Sequence, residues 1–332
     1  MSPLDPGTKS RILVTGANGF VGHHVIKQLL DNTPHQVEAT VRSSQQATQL
    51  QAVHMQHPRL TMHVVADITK SEAFVLASRY CHAIIHLDAP GFSGHDDYEK
   101  NLLLPAIQSV QAICHAANVN ESVKRLVYCS SFAAVFDPAP EGSAPDKVYT
   151  EDDWNPATYD QVKNASDKMQ AYQGSKAIAE REITKLCSEQ NRWDLVSLCP
   201  GIVFGAPVEG SVSGSQELAQ TNPALMSLFD EEEVPSTAIP VWTSVTSLAQ
   251  AHVSALSAPK VGNERFLLIN GTFDNQELCD LIRSSDLDES SRERVPKGHP
   301  GRHQKTWKAD DSKAANYLKY SKPETLRMNS TT

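Results

Sequence analysis

The chain has 332 residues, 40% hydrophobic and 21% charged, which is enough apolar material for one large domain or two coupled ones. Its formal net charge of −9 argues against a phosphate-backbone partner, so no nucleic acid is expected to bind it. No run approaches 18 uninterrupted apolar residues and the opening MSPLDPGTKS has no apolar heart, so neither a membrane span nor a signal peptide is expected.

In chain order, RILVTG (11–16) reads as a short buried strand ending in glycine, and VGHHVIKQLLDN (21–32) as a helix with apolar positions Val21, Val25, Leu29 and Leu30. QVEATVR (36–42) alternates as a strand, 47–56 is a weak helix, and LTMHVVAD (60–67) is a strand ending in Asp67. AIIHLDAP (83–90) is a strand stopped by proline, 102–119 a helix, and KRLVYCSS (124–131) a strand. A polar, proline-containing loop is expected over 137–167, then a helix holding Tyr172, then one strand over 194–205. The pattern breaks over 206–240, returns as a helix (247–258) and a strand (264–271), and ends in short helices and loops. Strands alternating with helices predict an α/β fold, a Rossmann-type doubly wound parallel sheet with a smaller irregular α/β lobe. The expected division is 1–205 with 241–271 for the sheet domain, and 206–240 with 272–332 for the second lobe.

The six cysteines are scattered and form no C-x-x-C pair. They read as free thiols of a reducing, cytoplasmic compartment, and no metal is expected. The basic residues between Arg292 and Lys308 read as a solvated loop face.

The first strand runs into TGANGFVG (15–22), whose Gly16, Gly19 and Gly22 lie between a buried strand and an amphipathic helix. That is the context of a dinucleotide fingerprint: a tight turn at Gly16, close backbone approach at Gly19, and helix-on-strand packing at Gly22. Asn18, Phe20 and Val21 complete the expected loop contacts, with the helix amino terminus facing the phosphates. An acidic residue at the end of the second strand would select a ribose 2′-hydroxyl, whereas an arginine accommodates a 2′-phosphate. Arg42 stands there, followed by Ser43 and Ser44, which favours NADP(H). Asp67 and Ile68 are placed to meet the adenine; Ala89, Pro200 and Val203 are further expected cofactor contacts. Asp88, at the edge where the cofactor should cross, has two readings. It is either a solvated or basic-paired acid, or a group bent toward the nicotinamide that repels the pyrophosphate.

Two stretches carry a tyrosine and a lysine four positions apart: Tyr159 with Lys163 in YDQVK, and Tyr172 with Lys176 in YQGSK. Such a pair shares one helix face. An ammonium about 4 Å from a phenolic oxygen favours the phenolate by roughly 4 kcal/mol at an effective dielectric near 20, enough to make a phenol a useful general acid at neutral pH. A serine past the end of strand 124–131 would lie in the ligand crevice of a doubly wound sheet.

TGANGFVG, CSSFAAV and YQGSKAIAE together resemble the extended short-chain dehydrogenases/reductases, with TGxxGxxG, a Ser-Ser pair ending a strand, and YxxSKxxAE. The likeness runs over nearly the whole chain and is closest to the dihydroflavonol-reductase-like branch and its microbial NADPH-dependent aldehyde and ketone reductases. It selects Tyr172 and Lys176, which Ser175, Ala179 and Glu180 follow in register, and makes Tyr159 a chance repeat. It implies Ser131 as the carbonyl-orienting serine, with Ser130 the less favoured alternative. The implied activity is reduction of a small hydrophobic ketone or aldehyde by NADPH, whether in secondary metabolism or detoxification, in a monomer or homodimer. Phe92, Phe132, Val203, Met226, Phe229 and Trp242 are candidate pocket walls. The alternatives are a sugar-nucleotide epimerase or dehydratase with tightly bound NAD, against which Arg42 argues, and a non-catalytic NADP-binding sensor, against which the retained tyrosine and lysine argue.

Overall fold

The computed structural model describes residues 4–5, 7–90, 97–139, 144–212, 222–304, 306–323 and 326. The aliphatic runs become seven parallel strands: β1 (Arg11–Thr15), β2 (Gln36–Val41), β3 (Leu60–Val64), β4 (Ala83–His86), β5 (Arg125–Cys129), β7 (Asp194–Pro200) and β10 (Glu264–Leu268). Their order is β10-β7-β5-β4-β1-β2-β3. The chain leaves β1 toward β2 and β3, then returns to β4 on the other side of β1. The crevice between the carboxyl ends of β1 and β4 is therefore the topological switch point, where such sheets bind ligands.

Parallel strands covered on both faces need apolar side chains in both directions. Ile12, Val14, Ala83, Ile85 and Val127 point into one core, closed by α1 (Phe20–Asn32) and by the helix at Val245–Ala255. Leu13, Ile84 and Leu126 point the other way, into a core closed by α3 (Ser71–Ala77), α4 (Leu104–Val119) and α6 (Lys168–Ser188). Between α1 and α3 lies α2 (Ser44–Val53), capped by Ser43, whose hydroxyl accepts from the Gln46 amide. A π-helical segment, Glu99–Leu103, leads into α4. The combined helix Glu99–Val119 is long and apolar enough to cross a membrane, but Ala106, Val110, Ile113 and Ala117 of it belong to the second core, as in an interior helix.

Several expectations change. β3 stops at Val64, before Asp67, and α3 was not predicted. The 137–167 stretch contains β6 (Val148–Tyr149), paired with β12 (Lys308–Ala309), and a short helix, α5 (Tyr159–Lys163). Thr158 closes a capping box with Gln161 that starts this helix inside what reads as a loop. The single strand expected over 194–205 is two strands broken at Gly201. β8 (Ile202–Phe204) leaves the main sheet to join β9 (Val241–Ser244) and β11 (Gly271–Thr272) in a small second sheet. Around it, Phe204, Leu228, Trp242, Phe273, Leu278 and Ile282 form a separate core, to which α9 (Asn275–Arg283) contributes its buried face. Among the described residues, the helices between α6 and α9 are α7 (Pro223–Met226) and α8 (Val245–Ala255), and two short ones follow α9, α10 (Glu289–Glu293) and α11 (Ser312–Tyr317).

Gly201 is needed at this exit because a Cβ there would lie 2.5 Å from the Val241 carbonyl oxygen. Gly201→Ala is expected to destabilise the fold by about 1–3 kcal/mol, the usual cost of forcing atoms into a packed site. It should be seen as a lower urea midpoint at unchanged slope.

Candidate active site at the carboxyl edge of the sheet

β1 ends in a turn that only glycine makes easily: Gly16 has φ +63°. Gly19 donates from its amide to the Gly16 carbonyl at 3.0 Å, and α1 begins at the next residue. A Cβ on Gly22 would overlap the Gly16 and Ala17 carbonyl groups, so the helix lies directly on the turn. The first-turn amides of Phe20, Val21 and Gly22 have no acceptor within the helix, and they carry the positive end of its dipole. This donor set fits a pyrophosphate. Val21 packs its side chain on the first core, and Asn18 is half-buried beside the turn.

Across the switch point, β4 is locked to β1. Thr15 Oγ1 lies 2.8 Å from His86 Nδ1 and accepts from the amides of Leu87 and Asp88 at 3.2 and 3.3 Å. Burial, then the charge of Lys176, pulls the His86 pKa down to about 3, so this imidazole is neutral. Asp88 is thereby held beside Gly16, where an added Cβ would come 3.0 Å from the Asp88 nitrogen. Its carboxylate pairs with Arg42, Nη2 to Oδ1 at 3.2 Å, and Arg42 Nη2 also donates to the Ala89 carbonyl at 3.1 Å. Of the two readings of Asp88, the structure has the one paired with a basic residue. Arg42 itself is turned across the crevice toward Asp88. Burial raises the Asp88 pKa, opposed by Arg42 and by the Gly16 and Ala89 amides.

Asp67 and Ile68 sit past the end of β3. The Asp67 carboxylate accepts from the Thr69 amide and hydroxyl at 2.9 and 2.7 Å, which holds its pKa low. Ile68 turns its side chain into the second core rather than outward. Pro200 is buried at the end of β7, and Val203 packs against the first core.

Tyr172 and Lys176 occupy one face of α6, with the lysine nitrogen 5.7 Å from the tyrosine ring centre. Both line a cavity whose other walls include Asp88, Ala89, Leu102 and Val110. Gly174, between them on the chain, lets Val162 of α5 press against α6; any Cβ there would collide with it. Ser131 precedes the 3₁₀ turn Phe132–Ala134, which packs on α6. Its hydroxyl accepts from the Ala133 amide at 3.1 Å, which spends a lone pair and leaves the O–H to donate elsewhere. Ser130 points away, donating to Glu180 at 2.7 Å.

The second tyrosine and lysine are occupied by one acid. Tyr159 donates to Glu99 Oε1 at 2.9 Å, and Lys163 Nζ lies 2.9 Å from Oε2. The hydrogen bond to Glu99 raises the pKa of Tyr159, the wrong direction for an acid catalyst.

Sequence reasoning passed over a buried ion pair behind the site. Glu180, fully buried on α6, accepts from Ser130, from Arg265 Nε at 2.8 Å and from Arg265 Nη2 at 3.0 Å, with Cys199 Sγ 3.5 Å away. Arg265 also donates to the carbonyls of Ala134, Glu151 and Asp153, and stacks 3.7 Å from the Trp154 ring centre. Burial and then Glu180 raise the Cys199 pKa, so it is a thiol. The one available signal was a glutamate following Lys176 by a helical turn, toward the sheet.

The aromatic wall expected for the substrate differs. Phe132 is 1% exposed and stacks 5.1 Å from Trp307 in a core with Phe136 and Tyr149, so it is packing rather than pocket. Trp242 is likewise buried, in the core of the second sheet. Met226 is exposed on α7, and Phe229 packs on the core of the second sheet beneath Arg294. Phe92 lies outside the described residues.

The strand order, the glycine turn at the switch point and a tyrosine–lysine face beside it define an oxidoreductase of the extended short-chain dehydrogenase/reductase class. The chain belongs to the 3-beta hydroxysteroid dehydrogenase/isomerase family, whose profile matches residues 13–265. It is 30% identical over 304 residues to the NADPH-dependent methylglyoxal reductase GRE2 of Saccharomyces cerevisiae, covering 87% of this chain and 86% of that protein. It is 30% identical over 278 residues to aldehyde reductase 2 of Sporidiobolus salmonicolor, covering 80% and 78%. The crystal structure of the yeast methylglyoxal/isovaleraldehyde reductase Gre2 complexed with NADPH superposes with a TM-score of 0.80 over 95% of each chain, at 27% identity.

Glu180→Ala would strand a buried guanidinium. Breaking one side of such a pair costs about 3–5 kcal/mol, and this loss should be measurable by chemical denaturation.

Proposed function

We propose that the protein reduces a ketone or aldehyde to an alcohol with NADPH. The observation that carries this reading is the convergence of Tyr172 and Lys176 with Asp88 and Ala89 on one cavity at the switch point. The similarity to reductases whose names specify NADPH supports it. When bound, the nicotinamide supplies a hydride to the carbonyl carbon. The amides of Phe20, Val21 and Gly22 would hold the pyrophosphate, and Arg42 with the α2 amino terminus would hold the 2′-phosphate.

On the substrate side, the Ser131 hydroxyl donates to the carbonyl oxygen and fixes its position. Tyr172 gives its phenolic proton to that oxygen as negative charge develops. Lys176, on the same helix face, would offset the charge left on the phenolic oxygen and would hold the nicotinamide ribose. The apolar cavity walls Leu102 and Val110 suit a hydrophobic carbonyl compound. Six free cysteines, five of them buried, accord with a reducing, cytoplasmic setting.

Tyr172→Phe keeps the ring and removes the proton. Turnover with a carbonyl panel should drop by a factor on the order of 10² to 10⁴, with NADPH affinity unchanged. Tyr159→Phe should leave turnover within about twofold, because Lys163 still holds Glu99 at 2.9 Å and keeps α5 tethered. The opposite ranking of the two variants refutes the assignment of Tyr172. Arg42→Ala should weaken NADPH by roughly 10-fold or more, the contribution of a charged hydrogen bond, and NADH far less. An unchanged preference between the two nucleotides, measured by calorimetry, would exclude the 2′-phosphate role.

A further inference from the structure

We propose that Asp88 is a specificity-setting competitor for the cofactor's 2′-phosphate, its carboxylate holding Arg42 across the dinucleotide crevice until the phosphate displaces it. The inference rests on the NADPH reading above and adds to it a residue of this chain that opposes binding.

The geometry comes from the strand order. β2 and β4 are the two neighbours of β1, so their carboxyl ends lie about 10 Å apart, two strand spacings. The Arg42 side chain, leaving the end of β2, reaches Asp88 beyond the end of β4. The guanidinium therefore passes over the exit of β1, where the glycine turn begins. A cofactor lying in the crevice has to cross the same line. While Arg42 bonds Asp88 and the Ala89 carbonyl, it is turned away from Ser43 and the α2 amino terminus, where a 2′-phosphate would lie.

Which partner moves is set by burial and backbone restraint. The Asp88 side chain is 9% exposed, its amide is bonded to Thr15, and its backbone abuts Gly16. The Arg42 side chain is 47% exposed and tethered at its tip alone among the described contacts. Arg42 swings and Asp88 stays. The released carboxylate remains in the cavity that Lys176 also lines.

The energetic consequence is that NADPH affinity is scaled down to the fraction of molecules in which Arg42 is not engaged by Asp88. A half-exposed ion pair is a weak latch, so the reduction is about 3- to 10-fold. NADH has no 2′-phosphate to recruit Arg42, and for it only the repulsion between Asp88 and the pyrophosphate applies. The carboxylate thus lowers the preference for NADPH over NADH.

The test is calorimetric titration of the intact protein with NADPH and, separately, NADH. Asp88→Asn keeps the shape and removes the charge. The expected result is NADPH binding tightened about 3- to 10-fold, with NADH tightened less. In an Arg42→Ala background the extra gain for NADPH should vanish, so that position 88 moves both nucleotides equally. Asp88→Ala must shift the affinities in the same direction, and thermal unfolding of each variant without nucleotide confirms that it is folded. If the Asp88→Asn change weakens NADPH, leaves both affinities within twofold, or moves both equally while Arg42 is present, Asp88 is no competitor. In that case the NADPH reading stands, provided the wild-type protein still prefers NADPH. If the wild-type protein binds neither nucleotide, the cofactor reading fails and this one fails with it.

Discussion

The buried carboxylate of Glu180 is the interaction on which the geometry of the site depends. Removing a carboxylate and a guanidinium from water is costly, and the pair is tolerated only when every remaining donor and acceptor is used. Here they are used on several elements at once. Glu180 belongs to α6, the helix that carries Tyr172 and Lys176; Ser130 directly follows β5; Arg265 belongs to β10; and the Arg265 guanidinium closes on the carbonyls of Ala134, Glu151 and Asp153. One charge pair therefore fixes the helix bearing Tyr172 and Lys176 relative to the strand end beside Ser131. Hydrophobic contacts between α6 and the sheet would supply adhesion without that directionality, because apolar packing permits small slides that hydrogen bonds do not.

The parts legible in the sequence were those whose physics is local. A glycine turn between a strand and a helix is written in eight consecutive residues, and the requirement at Gly16 and Gly22 is steric. The parallel sheet followed from apolar runs at regular spacing. What stayed hidden joins distant positions: Arg42 with Asp88 is a contact across 46 residues, and Arg265 with Glu180 across 85. Neither periodicity nor a motif reports which acid a given arginine will meet. The aromatic residues misled for a related reason. Phe132 follows the end of a strand, which points to the ligand edge, yet it and Trp242 each have a large aromatic or aliphatic cluster to join and are buried in it. The strand over 194–205 read as continuous because Gly201 interrupts it without changing the apolar pattern on either side.

The two tyrosine–lysine pairs show how far identical spacing can diverge in chemistry. Each pair sits on a helix, so helix geometry alone does not separate them. Their surroundings do. Tyr159 and Lys163 share the carboxylate of Glu99, which strengthens the hold on the phenolic proton and consumes the ammonium as a counter-ion. Their product is mechanical: the pair tethers α5 to the π-helical segment that opens α4. Tyr172 and Lys176 share a cavity instead, at the carboxyl edge of the sheet. Gly174 connects the two arrangements, since its missing side chain lets Val162 of α5 dock against α6 between Tyr172 and Lys176 in sequence. The repeat that looks accidental in sequence thus buttresses the helix that carries Tyr172 and Lys176.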